Sequence, residues 1–587
     1  MKQETNLSTN RSRQASWLSG MFDMIYRHPI LTAAWLCLCC LLINSGEISV
    51  TSLLVSSLAV AGLGIVASVY HIRTHDTPQE KRFGVIIAVA AVGFAVWFGY
   101  MVYMKQSYFL TVMDGGLAVV GAIFLVLAAR GRLTTRNVIL LVFAAGFIMR
   151  LSYILYMNVS TIQHDMGSFT AAGKNGALPG GHAGYINYLY QNGHLPDFDV
   201  RTVDQFYHPP LHHALAALWL KIQVLLGVHP SHIYENIQLL TLFYSSVCLI
   251  LSYKIFRRLG LKDSGLIVAT AVIAFCPTFY IMAGSVNNDV LSIAFILGAL
   301  YNTICWYKSR KMGRILCIAL CVGLGMMTKL SVWMVAPPIA MIFLYVFFND
   351  LRNVKKYLGQ FAAFLGVCVP LGLFWAVRNL VRFGVPLTYI PRLSEHSQQF
   401  VGNVPALTRL FGFSPDQFSN VAEQFTMYGG SYNEYNPLVG FFKTSVFDEA
   451  IAVKYYPMIA GFNHVLFWSA VVLGLAGFAA LIYLLVKKNK KIDYPIKVFI
   501  GMFYFLMLGM YYYFCFSYPH VCTMNVRYGV PLIVVGALSL GYLAYDLLHS
   551  RKKGAMIGGW CLVGVLGVYI LSGYLVYHTV ALSYVKL

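Results

Sequence analysis

The chain has 587 residues, 58% hydrophobic and only 11% charged, with a mean hydropathy of +0.66. No soluble core needs that much apolar sequence, whereas repeated apolar runs of about 20 residues suit helices crossing a hydrocarbon layer of about 30 Å. The formal charge of +21 does not indicate a nucleic-acid partner, because the basic residues lie in short clusters between apolar runs, where they set topology.

In chain order, apolar runs predict spans at 29–44, 48–70, 84–105, 108–129, 136–157, 234–256, 265–283 and 289–307. Further spans follow at 313–328, 331–349, 357–378, 463–486, 495–514, 526–548 and 556–580, about fifteen in all. The first run is short, and only "TKLS" divides 313–328 from 331–349. No cleaved signal is expected, because the first apolar run leads straight into a second. Eight short segments (1–28, 71–83, 130–136, 254–262, 308–314, 351–356, 487–497 and 551–553) hold 29 of the 43 Lys and Arg. The positive-inside rule therefore places the N-terminus in the cytoplasm and the C-terminus outside.

The resulting map has a cytoplasmic tail (1–28), a four-helix membrane module of unassigned role (29–129) and a core (130–378) containing a first outer loop (158–233). A second large outer loop (379–462) and the C-terminal membrane helices (463–587) complete it, with no internal repeat. Ten of the twelve cysteines fall in predicted spans and read as small apolar residues. Cys515 and Cys522 lie at one membrane edge, a candidate disulfide if that side is oxidising. In the first outer loop, "HAGYINYLYQNGHLP" puts Tyr185, Ile186, Leu189 and Tyr190 on one helical face, which suits the headgroup layer. A second helix is expected from about Pro210 to Leu226.

With this topology, polar residues from distant segments reach one level on the outer side. They are His164 and Asp165 in "QHDMGS", His208, His212 and His213 in "FYHPPLHH", and Asn287, Asn288 and Asp289 in "SVNNDVL". Lys329 in "TKLS", Arg378 in "RNLVRFGVPL", Glu434, Lys443, Asp448 and Glu449 in the second loop, and Arg527 in "NVRYGVPLI" join them. Ionisable groups near lipid are costly and mark substrate paths or paired sites. An anionic phosphate calls for Arg or Lys, and an acceptor hydroxyl calls for a carboxylate that takes its proton. His208 precedes two prolines, so it ends a loop just before a helix N-terminus, where an anion would sit.

Plainer readings stand beside these. Asp165 and the carboxylates Glu434 and Glu449 also suit solvated loops, Asp289 suits a helix cap, and Arg378 and Arg527 suit snorkelling anchors. His208 and His212 have i, i+4 spacing, so metal binding, substrate contacts and headgroup contacts all remain open. Arg150, inside a span, either pairs with a carboxylate of the same cavity or reaches the outer interface.

Together, "QHDMGS", "FYHPPLHH", "SVNNDVL", "TKLS", "RNLVRFGVPL", "FFKTSVFDE" and "NVRYGVPLI" resemble the bacterial polyprenyl-phosphate-sugar-dependent glycosyltransferases of the GT-C fold over about 136–548. These are relatives of the protein O-mannosyltransferases and the lipid A aminoarabinose transferase. The resemblance implies an all-α polytopic membrane protein of GT-C type in the bacterial cytoplasmic membrane. Its two long outer loops would carry interfacial or juxtamembrane helices. It also implies an inverting transfer of a sugar from a polyprenyl-monophosphate donor to a hydroxyl of a cell-surface glycan, lipid or protein. By position, Asp165 would be the base, and His208, Arg378, Arg527 and Lys329 would hold the donor phosphate. His164, His212, Asn288, Asp289, Glu434, Lys443 and Glu449 would line the substrates. No cofactor and no nucleic acid are implied. His208 stands where the aminoarabinose transferases carry lysine, and His164 precedes Asp165 where the family usually has a second acidic residue, a departure that argues against a divalent metal held between two carboxylates. A lipid or oligosaccharide transporter or flippase, or a surface-polysaccharide ligase or polymerase, is the alternative. A transporter would favour internal repeats, and a ligase or polymerase would use a lipid-diphosphate donor.

Overall fold

The computed structural model describes residues 28–44, 92–93, 108–157, 159, 166–170, 178–422, 434–447, 460–487 and 492–584. The predicted spans 48–70 and 84–105 therefore lie outside the described residues, apart from 92–93. The described chain is helical, with one isolated antiparallel bridge between Phe400 and His520. Eleven of its segments are long and apolar enough to cross a membrane.

The main helices are α1 (Pro29–Asn44), α2 (Gly116–Ala129, continuing a π-turn at Thr111–Gly115), α3 (Thr135–Tyr156), α4 (Gly181–Asn192) and α5 (Leu211–Leu225). Next come α6 (Gln238–Arg258), α7 (Asp263–Phe275), α8 (Pro277–Gly284), α9 (Asp289–Ser309), α10 (Met312–Met326), α11 (Ala336–Asn349) and α12 (Val354–Phe383). The chain closes with α13 (Pro437–Val446), α14 (Ala460–Val486), α15 (Tyr494–Ser517), α16 (Val530–Leu548) and α17 (Lys553–Tyr584).

One expected span, 313–328, forms a helix shorter than a bilayer crossing, α10. With 15 residues, α10 rises only about 22 Å, against a hydrocarbon core of about 30 Å. Its basic flank, Arg310, Lys311 and Arg314, marks one membrane edge.

In the core, α10 packs against α9 and α12, α7 against α16 and α3, and α14 against α16 and α17. At the α7–α16 crossing the backbones meet at glycines: a Cβ on Gly265 would lie 2.4 Å from the Gly541 carbonyl oxygen. Small residues permit such approaches, and dispersion then holds helices together where no hydrophobic effect acts between them.

The span expected at 265–283 is broken at Cys276–Pro277 into α7 and α8. Pro277 has no N–H, so the Ile273 carbonyl loses its helical donor. Arg150, fully buried in α3, supplies the missing donors. Its Nη2 donates to Ile273 O (3.0 Å), its Nη1 to Ala274 O and Gly146 O (both 2.8 Å), and its Nε to Ser245 Oγ (3.0 Å). Among the described residues Arg150 therefore meets no carboxylate, and it is fully buried. It replaces the hydrogen bonds a proline removed in a medium with no water to offer.

Arg150→Met strands these acceptors at about 1–3 kcal/mol for each group left unsatisfied. Thermal unfolding in detergent is expected to show a large drop for Arg150→Met and a smaller one for Arg150→Lys.

Candidate functional site

Four helical segments start at one place, and each brings a charged or polar residue at or just before its N-terminus. These are His208 before α5, Asp289 opening α9, Lys329 before the 3-10 turn Leu330–Val335, and Arg527 before α16. Backbone contacts lock the ends together. The Leu211 amide donates to Met327 O (3.0 Å) and Asn288 Nδ2 to Thr328 O (2.9 Å). The Trp375 indole donates to Tyr207 O (3.0 Å), tying α12 to the residue before His208.

At the centre is an ion cluster. Lys329 contacts Asp289 Oδ1 directly, and Arg527 Nε lies 3.9 Å from Asp289 Oδ2. The Tyr528 ring lies beneath both cations, with Lys329 Nζ at 4.9 Å and Arg527 Cζ at 5.1 Å from its centroid. The side chains of Lys329, Arg527 and Asp289 are 17%, 13% and 5% exposed, so the cluster is recessed yet open. Among the described residues Lys329 and Arg527 both flank the carboxylate of Asp289, and helix N-termini add their partial positive charge. That arrangement favours an anion. Asp289 does not cap its own helix; its amide is met by Asn287 Oδ1 (3.0 Å), which frees its carboxylate for the cations.

His208 is partly exposed at this cluster. Its ring stacks on His182 (centroids 5.6 Å apart), which stacks on His213 (5.2 Å), with a 2.9 Å hydrogen bond between His182 Nδ1 and His213 Nε2. Loss of hydration, then His182 and Lys329, hold the His208 imidazole well below its usual pKa. His208 is thus a neutral hydrogen-bonding group in this arrangement and not a fixed positive charge. His182, from the N-terminal turn of α4, was not singled out in the sequence; no spacing relates it to His208 and His213.

Other predicted residues stand elsewhere. Arg378 Nη1 donates to Asn379 Oδ1 (2.8 Å) and Nη2 to the Pro196 carbonyl, while the guanidinium lies over Trp375 and Phe383. Glu434 is not solvated: it forms a buried 2.9 Å pair with Lys443 and accepts from Gln417 Nε2 (2.9 Å) and the Asn436 amide (3.2 Å). Asn436 in turn caps α13, so these groups brace the second loop. His212 is fully buried beside Tyr244, and among the described residues neither of its ring nitrogens has a hydrogen-bond partner. Asp165, His164, Asp448 and Glu449 lie outside the described residues.

The face of Tyr185, Ile186 and Leu189 is buried within the protein, with Tyr185 stacked on Phe206 and His213, and does not meet headgroups. Among the described residues no disulfide joins Cys515 and Cys522, and Cys515 Sγ lies 3.3 Å from Thr523 O. Among the described residues no three His, Cys, Asp or Glu side chains converge as metal ligands.

Residues 207–375 match the family model described as dolichyl-phosphate-mannose-protein mannosyltransferase, a segment holding His208, Asp289 and Lys329. No curated protein matches the chain. The structure is similar to an oligosaccharyltransferase of Archaeoglobus fulgidus (11% identity, TM-score 0.42), covering 74% of this chain and 55% of that one. It is similar also to ArnT of Cupriavidus metallidurans in its apo state (11% identity, TM-score 0.41) and bound to undecaprenyl phosphate (11% identity, TM-score 0.42), covering 76% of this chain and 77% of that one in each case. The chain thus spans about half the length of the archaeal protein.

The buried histidines predict a pH response. Burial, then His182, lowers the His212 pKa from 6.5 to about 3. The unfolded chain therefore takes up a proton below about pH 6.5 that the folded one refuses until near pH 3, so stability falls as pH falls through that window. At pH 5 the loss is about 2 kcal/mol for this group. Melting temperatures measured from pH 7.5 to 5 are expected to fall less steeply for His212→Leu than for the wild type.

Proposed function

We propose that the protein transfers a sugar from a polyprenyl-monophosphate donor to a hydroxyl of a cell-surface acceptor, on the outer side of a bacterial cytoplasmic membrane. The observation that carries this reading is the gathering of Lys329 and Arg527 about Asp289 at the point where four helical segments start. That place suits a phosphate whose lipid stays in the bilayer. The match of 207–375 to a family named for a dolichyl-phosphate-linked mannose donor supports the same donor class.

In this reading Lys329 and Arg527 hold the donor phosphate and stabilise the charge that grows on it as the sugar–phosphate bond breaks. Neutral His208 adds a hydrogen bond to a phosphate oxygen. Asp165 takes the proton of the acceptor hydroxyl as its oxygen attacks the anomeric carbon from the opposite face, inverting it. The lipid phosphate leaves with the electrons of the broken bond. Asp289 keeps the two cations in register. Arg378, engaged with Pro196 and Asn379, lies outside the phosphate set.

Purified protein in detergent, a panel of polyprenyl-monophosphate sugars and an envelope extract as acceptor test this. Asp165→Asn is expected to slow transfer by about 10²–10⁴-fold; transfer at the wild-type rate would remove Asp165 as base. Lys329→Met and Arg527→Met are each expected to weaken donor binding by about 10–100-fold, the worth of one charge-assisted hydrogen bond, and Arg378→Met to leave it nearly unchanged. A requirement for a diphosphate donor would overturn the reading itself.

A further inference from the structure

The chain leaves α3 at Tyr156 and continues through Met157 and Val159 toward Asp165, six residues beyond Val159. Val159 is 2% exposed, so its amide cannot turn to water. It donates instead to the carboxylate of Glu235, at 3.1 Å from Oε2 and 3.3 Å from Oε1. One turn on, Gln238 Nε2 donates to the Met157 carbonyl (3.0 Å) and to the Gly284 carbonyl (2.9 Å). Gly284 ends α8, four residues before Asn288, in the turn that presents Asp289. The entry of α6 is itself held, because the Trp219 indole of α5 donates to Asn236 O (2.9 Å). Among the described residues no cation lies in ion-pair contact with Glu235, so its hydrogen-bonding capacity is directed at this one backbone amide.

The geometry points to Glu235 and Gln238 as a two-point clamp that fixes the exit of α3 at Met157 and Val159 and ties it to the turn before Asp289; in sequence that exit leads on to Asp165. They are positioning residues: Glu235 holds an N–H and Gln238 a C=O on either side of residue 158, while the second hydrogen bond of Gln238 reaches the turn behind the ion cluster. Neither residue touches the reacting atoms. The inference rests on the reading of Asp165 as the base, yet the clamp itself is a property of the fold and is measurable without turnover.

Glutamine at 235 keeps a carbonyl oxygen for the Val159 amide, whereas alanine removes the acceptor, so the two variants separate geometry from charge. Hydrogen–deuterium exchange of the full-length protein in detergent is expected to rise at least tenfold in peptides covering 157–170 for Glu235→Ala. Peptides within α16 serve as an unchanged reference, and Glu235→Gln should stay close to wild type. In the transfer assay Glu235→Ala is expected to lose on the order of 10²-fold in kcat with little change in donor KM, and Glu235→Gln to recover most of that loss. Wild-type exchange at 157–170 in Glu235→Ala would overturn the clamp. Equal losses of transfer in the Gln and Ala variants would overturn the positioning role in favour of a role for the charge. Raised exchange with wild-type transfer would overturn the catalytic link. Failure of the base assignment is read separately, from Asp165→Asn.

Discussion

Inside a bilayer no water can complete a hydrogen bond, so every polar group that leaves a regular helix must be met by another part of the chain. The break at Cys276–Pro277 shows what this demands. Splitting the span into α7 and α8 frees carbonyls that Arg150 meets from α3. The split lets α8 end at Gly284, and the following turn delivers Asn287, Asn288 and Asp289. The ion cluster therefore depends on an arginine that never touches it.

The cluster follows from direction as well as composition. A helix carries partial positive charge only at its N-terminus, and α5, the 3-10 turn at Leu330, α9 and α16 all start at the same level. Two more cations there are tolerable because Asp289 lies between them and Tyr528 lies beneath both. The histidine stack makes the opposite choice. Burial and the neighbouring histidines hold the His208 and His213 imidazoles well below their usual pKa, and His213 Nε2 shares a hydrogen bond with His182 Nδ1.

Charge elsewhere on the same side serves architecture. Glu434 and Lys443 neutralise each other out of water. Arg409, also buried, donates to the Cys515 carbonyl (2.9 Å) and lies over Phe516, fastening the second loop to the end of α15. Among the described residues Glu434 and Lys443 pair one to one, whereas both Lys329 and Arg527 flank the carboxylate of Asp289.

The sequence by itself determined the all-helical, membrane-spanning class of the protein and most of its described spans. Those follow from apolar run length and basic clustering, which act locally along the chain. It also anticipated the helix start after "HPP" and the company of Asp289, Lys329 and Arg527. Only the tertiary structure decided which polar residues share a partner. It set Arg378 against a loop carbonyl, turned Glu434 inward, buried the tyrosine face of α4 against Phe206 and His213, and brought His182 and Glu235 to places no motif marked. The reason is physical: a charge near a membrane edge costs the same wherever its partner lies in the chain, and only packing decides which partner arrives.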